Sequence, residues 1–65
     1  MKVLHLSTIK DYFGVYEVTV LVDDKKEKVY ALHSKQDVDV FNKLMLVHQG
    51  KALNWLKQIG KEVKN

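Results

Sequence analysis

No cysteine, no proline and no arginine occur in this chain of 65 residues, and glycine is found only three times. Without cysteine there is no disulfide to staple a small fold and no thiolate to hold a metal, which fits a reducing compartment. Without proline, repeats or low-complexity tracts there is no recognisable linker, so residues 1–65 are expected to form a single domain. Sequence-specific DNA readers rely on the planar arginine fork to grip guanine, and here every one of the eleven basic residues is lysine. No segment approaches the roughly 20 apolar residues of a membrane span. The N-terminal "MKVLHLSTIKD" lacks the cleavage pattern of a secretory signal. A soluble cytoplasmic protein with no membrane partner is expected. The core of so small a domain rarely supplies more than about 3–5 kcal/mol, and with disulfides gone the staple left to it is association with another chain.

Three stretches have the composition of strands. Residues 2–9 alternate Leu4 and Leu6 with Val3, His5 and Ser7. Residues 12–22, "YFGVYEVTVLV", carry the densest run of β-branched and aromatic side chains. In that run Tyr16, Val18, Val20 and Val22 share one face, while Val15, Glu17, Thr19 and Leu21 share the other. Residues 26–33 supply a partner strand, with Tyr30 and Leu32 on one side and Val29 and Ala31 on the other. The charged run "DDKKE" between them suits a hairpin loop. Gly14, inside the long apolar run, predicts a bulge or a close backbone approach.

Helical spacing follows. Ser34 and Asp37 resemble a capping box for a helix over residues 35–49, with Asp37 itself the alternative N-cap, and Gly50 ends it. A second helix spans 51–63, with Ala52, Trp55, Leu56, Ile59 and Val63 forming one stripe. The expected class is therefore α+β: a small antiparallel sheet of two to three strands around a central hairpin, packed with two α-helices. The first helix has more apolar surface than that arrangement uses. Stepping 100° per residue, Val38, Val40, Phe41, Leu44, Met45 and Val47 spread over about half the circumference, and Leu46 falls in the otherwise polar half. Leaving one large apolar side chain wet forgoes roughly 1.5–3 kcal/mol. A second subunit covering Val40, Leu44, Leu46 and Val47 is the expectation, which makes the protein a homodimer.

Little in the sequence suggests catalysis. His5, His33 and His48 are not at metal-ligand spacing and no cysteine can complete a site, so they are read as structural or solvated. Ser7 and Ser34 lie in no nucleophile motif, and the glycines form no phosphate-cradling loop. No enzyme, no metal and no cofactor are expected. The net charge is +3, yet residues 1–50 balance seven lysines against seven acids. The excess lies in Lys51, Lys57, Lys61 and Lys64, opposed by Glu62 alone. A lysine-rich face on the C-terminal helix allows nonspecific attraction to nucleic acid as a secondary reading. Glu17, Asp23, Asp24, Asp37 and Asp39 collect near the hairpin and the start of the first helix, where acids serve turns, caps or an anionic surface.

One combination of motifs resembles a known family. Tyr16-Glu17-Val18-Thr19, the Asp23-Asp24 turn, Tyr30 and His33 on the next strand, and Phe41 and Leu44 on the helix are similar to the pattern of small dimeric uracil-DNA glycosylase inhibitors. These come from Bacillus phages that prime replication with a terminal protein. The similarity covers about thirty residues and includes the spacing from His33 to Phe41. It implies a homodimeric DNA mimic in the host cytoplasm that occupies the DNA-binding cleft of the host glycosylase and blocks DNA repair. In that role Glu17, Asp23, Asp24, Asp37 and Asp39 imitate phosphates, and no nucleic acid is bound directly. An apolar pocket at the dimer seam, made of Phe41, Tyr30, Val38, Leu44 and Met45, takes up the leucine wedge of the enzyme.

Overall fold

A computed structural model describes residues 2–63. In chain order it contains β1 (Val3–Lys10), β2 (Tyr16–Val22), β3 (Glu27–Leu32), α1 (Lys35–Val47), α2 (Gln49–Ile59) and β4 (Lys61–Val63). The sheet is an antiparallel meander in the order β1-β2-β3-β4, so both helices lie in the connection between two adjacent strands. The class is α+β, with four strands where two to three were expected.

The two faces of β2 separate as the alternation predicts. Val18 and Val20 are buried against the helices, joined there by Val3 of β1 and by Tyr30 and Leu32 of β3. Val38 and Phe41 of α1 and Ala52, Leu53 and Leu56 of α2 complete this core. Both helices therefore cover the same face of the sheet. Glu17, Thr19 and Leu21 point the other way, as do their neighbours Val29 and Ala31. No described element lies over that side.

Local chemistry sets the connections. Asp23 and Asp24 both have positive φ, 54° and 55°, the sign that matches the right-handed twist of a hairpin. The Lys25 amide donates to the Val22 carbonyl at 3.0 Å to close the turn. The Asp23 amide bonds the Lys2 carbonyl at 2.7 Å, and its carboxylate accepts the Lys2 amide at 2.7 Å. The turn is thereby tied to the start of β1. At the opposite end of the sheet the Asp11 carboxylate accepts from the amides of Phe13 and Val15 at 2.8 and 2.9 Å. Gly14 adopts φ +83° there. Ser34 caps α1 by accepting the Asp37 amide at 3.1 Å, as its spacing predicted.

Several boundaries differ from expectation, each for a physical reason. Residues 12–15 belong to the Asp11-centred turn, so β2 begins at Tyr16 instead of 12. Gly50 does not end the first helix, because His48 has already done so. His48 takes an extended backbone, donates its amide to the Leu44 carbonyl at 2.7 Å, and accepts the Lys51 amide on Nδ1 at 3.2 Å. One residue thus closes α1 and opens α2, and Gly50 lies in the first turn of α2. The second helix stops at Ile59, not at Val63. A Cβ on Gly60 would meet the Leu56 carbonyl oxygen at 2.8 Å and the Leu32 side chain at 3.2 Å, so only glycine fits where the chain leaves the helix. Val63 then pairs with Val29 in β4. The buried stripe of α2 gains Leu53, while Ile59 stays exposed.

Phe41, with no exposed surface, is among the largest fully buried side chains, and its ring meets that of His5 edge-on at 5.4 Å. Truncating a buried Phe costs about 3–5 kcal/mol, comparable to the whole stability of a domain this small. Phe41→Ala is expected to abolish the cooperative thermal transition followed by far-ultraviolet circular dichroism. Leu46→Ala, on the wet side of the same helix, is expected to leave the folded-state spectrum unchanged.

Candidate functional site

The residues expected to line an apolar pocket do come together, but as interior. Phe41, Tyr30 and Val38 belong to the core and Leu44 and Met45 pack against it half-buried. Phe41 and Tyr30 are sealed between helix and sheet, so they cannot line an open cleft on this chain. The correction has a simple cause. Tyr30 points to the helix side of β3, and Phe41 is the α1 residue aimed most directly into the same layer. Burial, and after it the Glu62 carboxylate on the neighbouring strand, raises the Tyr30 phenol above its ordinary 10.0.

The acidic residues do not form one patch. Glu17 lies on the uncovered side of β2, opposite Ala31, with Ile9 as its other neighbour. Six residues further along the chain, roughly 20 Å away at strand rise, Asp23 and Asp24 occupy the hairpin turn. Asp37 and Asp39 sit at the start of α1, which follows directly from the end of β3 paired to Tyr16. Glu17, Asp37 and Asp39 therefore share one end of the molecule, and Asp23 and Asp24 hold the other. Asp37 is half-buried in the cap, Asp23 is exposed but bonded to Lys2, and Asp24 and Asp39 are exposed.

The lysine face of the C-terminal helix is not assembled as expected. Lys51 and Lys57 are on α2, six residues and thus about 120° apart around the helix. Lys61 stands on β4, opposite Ala31. Lys64 lies outside the described residues. Among the described residues no group of three histidine, aspartate or glutamate side chains is arranged to hold a metal.

What the chain does present is apolar surface, in three places. On α1, Leu46 and Val47 are 88% and 84% exposed, with Val40 beside them in part. These are three of the four positions expected at a seam, and Leu44, the fourth, is half-buried. On the uncovered side of the sheet, Leu4 and Ile9 project from β1, and Leu6 is exposed in the bulge between them. At the tip of the β1–β2 turn, Tyr12 and Phe13 are 95% and 85% exposed and touch each other edge-on at 5.5 Å. The last two were missed because a run rich in aromatics and valines reads as strand throughout. The signal that separates them is Asp11 three residues before Gly14, a turn pair. Comparison with protein-family models, with curated proteins and with solved structures finds no match to this chain.

Two outcomes follow from this geometry. The folded state holds the Tyr30 proton more tightly than the unfolded chain does. Its contribution to stability is therefore complete below about pH 10 and is lost as pH rises through the higher folded value. Urea midpoints measured across that range should fall more steeply for the native chain than for Tyr30→Phe. Asp24 carries a left-handed backbone that suits glycine better, so Asp24→Gly should raise stability by roughly 1 kcal/mol in the same denaturation experiment.

Proposed function

We propose that this protein is a non-catalytic, homodimeric inhibitor that competes with DNA for a host uracil-DNA glycosylase in the host cytoplasm. The reading is carried by one observation. Tyr16-Glu17-Val18-Thr19, Asp23-Asp24, Tyr30 and Phe41, which resemble the phage inhibitors, fall in order on one hairpin and the helix that follows it. They occupy successive elements of a single structural unit, not unrelated parts of the chain. With Phe41 and Tyr30 in the core, their part is to support the surface from beneath. The side chains offered to a target are then Val40, Leu46 and Val47, with half-buried Leu44 and Met45 between them and the core.

Charge is compatible with this role. Asp39 is exposed on α1, and Asp37 stands one turn or less away. A carboxylate beside an apolar edge is the arrangement by which a protein competes for a cleft that binds phosphates and is lined by apolar side chains. Of the described lysines in the last fifteen residues, Lys51 and Lys57 stand on α2, while Lys61 stands on β4 opposite Ala31, at the end of the sheet that leads into α1.

The test is excision of uracil from a duplex by purified glycosylase, titrated with the folded protein. Excision is expected to cease at stoichiometric protein, and Asp39→Lys is expected to restore it while leaving the thermal transition in place. Undiminished excision in excess folded protein would overturn the proposal.

A further inference from the structure

We propose that two copies of this chain pair through the uncovered face of the sheet, stacking sheet against sheet. The inference rests on the homodimeric reading above and moves the seam from α1 to the opposite side of the molecule.

An antiparallel sheet with one wet face normally carries polar side chains there. Here the register places Leu4 beside Leu21, and Thr19 beside Val29, which in turn pairs with Val63. Ile9 completes the outward side of β1, and at 61% exposure it is wet in the single chain. The charges on this face stand in its outer rows: Glu27 ends the row of Leu4 and Leu21, while Glu17 and Lys61 share the row of Ile9 and Ala31. The middle row, Ser7-Thr19-Val29-Val63, has no charge at all. A centre free of charge, with charges toward its border, is the anatomy of a protein interface.

Three considerations select a second copy as the occupant. The sheet edges discourage growth by strand addition: β1 is interrupted by a bulge between His5 and Ser7, and β4 has three described residues. The face is broad enough. Four strands about 4.8 Å apart and some six residues long give a planar footprint of roughly 400 Å² per copy. The accessible area over corrugated side chains is larger, so a pair reaches the roughly 1,000 Å² at which specific interfaces begin. The charges also match themselves. A two-fold axis parallel to the strands places β2 over β3 of the second copy and β1 over its β4. Glu17 then comes within one strand spacing of Lys61 of the second copy, across a gap of about 10 Å that two long side chains span.

The experiment is sedimentation of the purified chain at micromolar concentration with two variants. The native chain should sediment at twice its 7.6 kDa mass. Thr19→Lys, which puts a charge in the middle of the uncharged row, should halve the mass and keep the helical spectrum, whereas Leu46→Lys should remain dimeric. A monomeric native chain overturns the proposal. So does a dimer that survives Thr19→Lys and is lost in Leu46→Lys. If Thr19→Lys fails to fold, a spin label on Glu27→Cys decides, because the chain has no other cysteine. Stacked sheets bring two such labels within roughly 25 Å, and a longer separation or no coupling overturns the pairing. Glycosylase assays on the same samples keep the two readings apart. A dimer that never inhibits removes the inhibitor role alone, and a monomer that inhibits removes the seam and the homodimeric part of the earlier reading but leaves the inhibition.

Discussion

A sheet covered by helices on one side has a single interior, and in this chain every side chain competes for it. The gap between the helix pair and the sheet accepts Val3, Val18, Val20, Tyr30 and Leu32 from below and Val38, Phe41, Ala52, Leu53 and Leu56 from above. Nothing else is fully sealed among the described apolar residues. The composition is 46% hydrophobic, so a large part of the apolar side chains must find another place. Phe41 is the most consequential member of the layer, because it bridges α1 to the His5 ring on β1 and fills the middle of the gap. Residues that miss this layer, such as Leu46, Val47, Ile9, Tyr12 and Phe13, make up the exposed apolar surface among the described residues.

The division between sealed and wet apolar residues also decides which residues a functional reading can use. Phe41 matches the resemblance to glycosylase inhibitors in sequence, but a side chain without exposed surface contributes by shape and support. On the proposed reading, direct contact falls to the exposed neighbours on α1. The carboxylates divide in the same way. The Asp11 and Asp23 carboxylates accept turn hydrogen bonds, whereas Asp37 enters the cap through its backbone amide and Asp24 and Asp39 are exposed.

Much of this was readable in the sequence where short-range chemistry settles the outcome. Alternation in Tyr16–Val22 gave the faces of β2 correctly, Ser34 with Asp37 gave the cap, and the spread of apolar residues around α1 gave an excess that stays wet at Leu46 and Val47. What escaped depends on distant partners. Lys61–Val63 continues a helical pattern through Val63 and becomes a strand only because Val29–Ala31 is there to pair with it. At Gly60 the local Leu56 carbonyl oxygen already excludes a Cβ, and the second close neighbour, the Leu32 side chain, is far away in sequence. His48 as a double cap escaped for a different reason, since imidazole is an uncommon capping group and Gly50 offered the more familiar stop.

The proposed pocket fails to open on a single chain for a reason that also bears on the seam. A cleft reaching Phe41 would have to part α1 from the sheet, and that separation removes the contacts that make α1 fold at all. Isolated helices of thirteen residues are marginal in water, so α1 depends on its buried side. An apolar site for a visitor must therefore be built outside the core, on residues the fold can spare. The end of α1 and the outer face of the sheet both meet that condition, and they lie on opposite sides of the molecule. Using the sheet face for a second copy leaves each α1 edge free, so a sheet-to-sheet dimer carries two separate target sites. A dimer joined through α1 would instead merge them into one. On the two proposals above, the number of target molecules bound per dimer follows from which apolar surface the chain spends on itself.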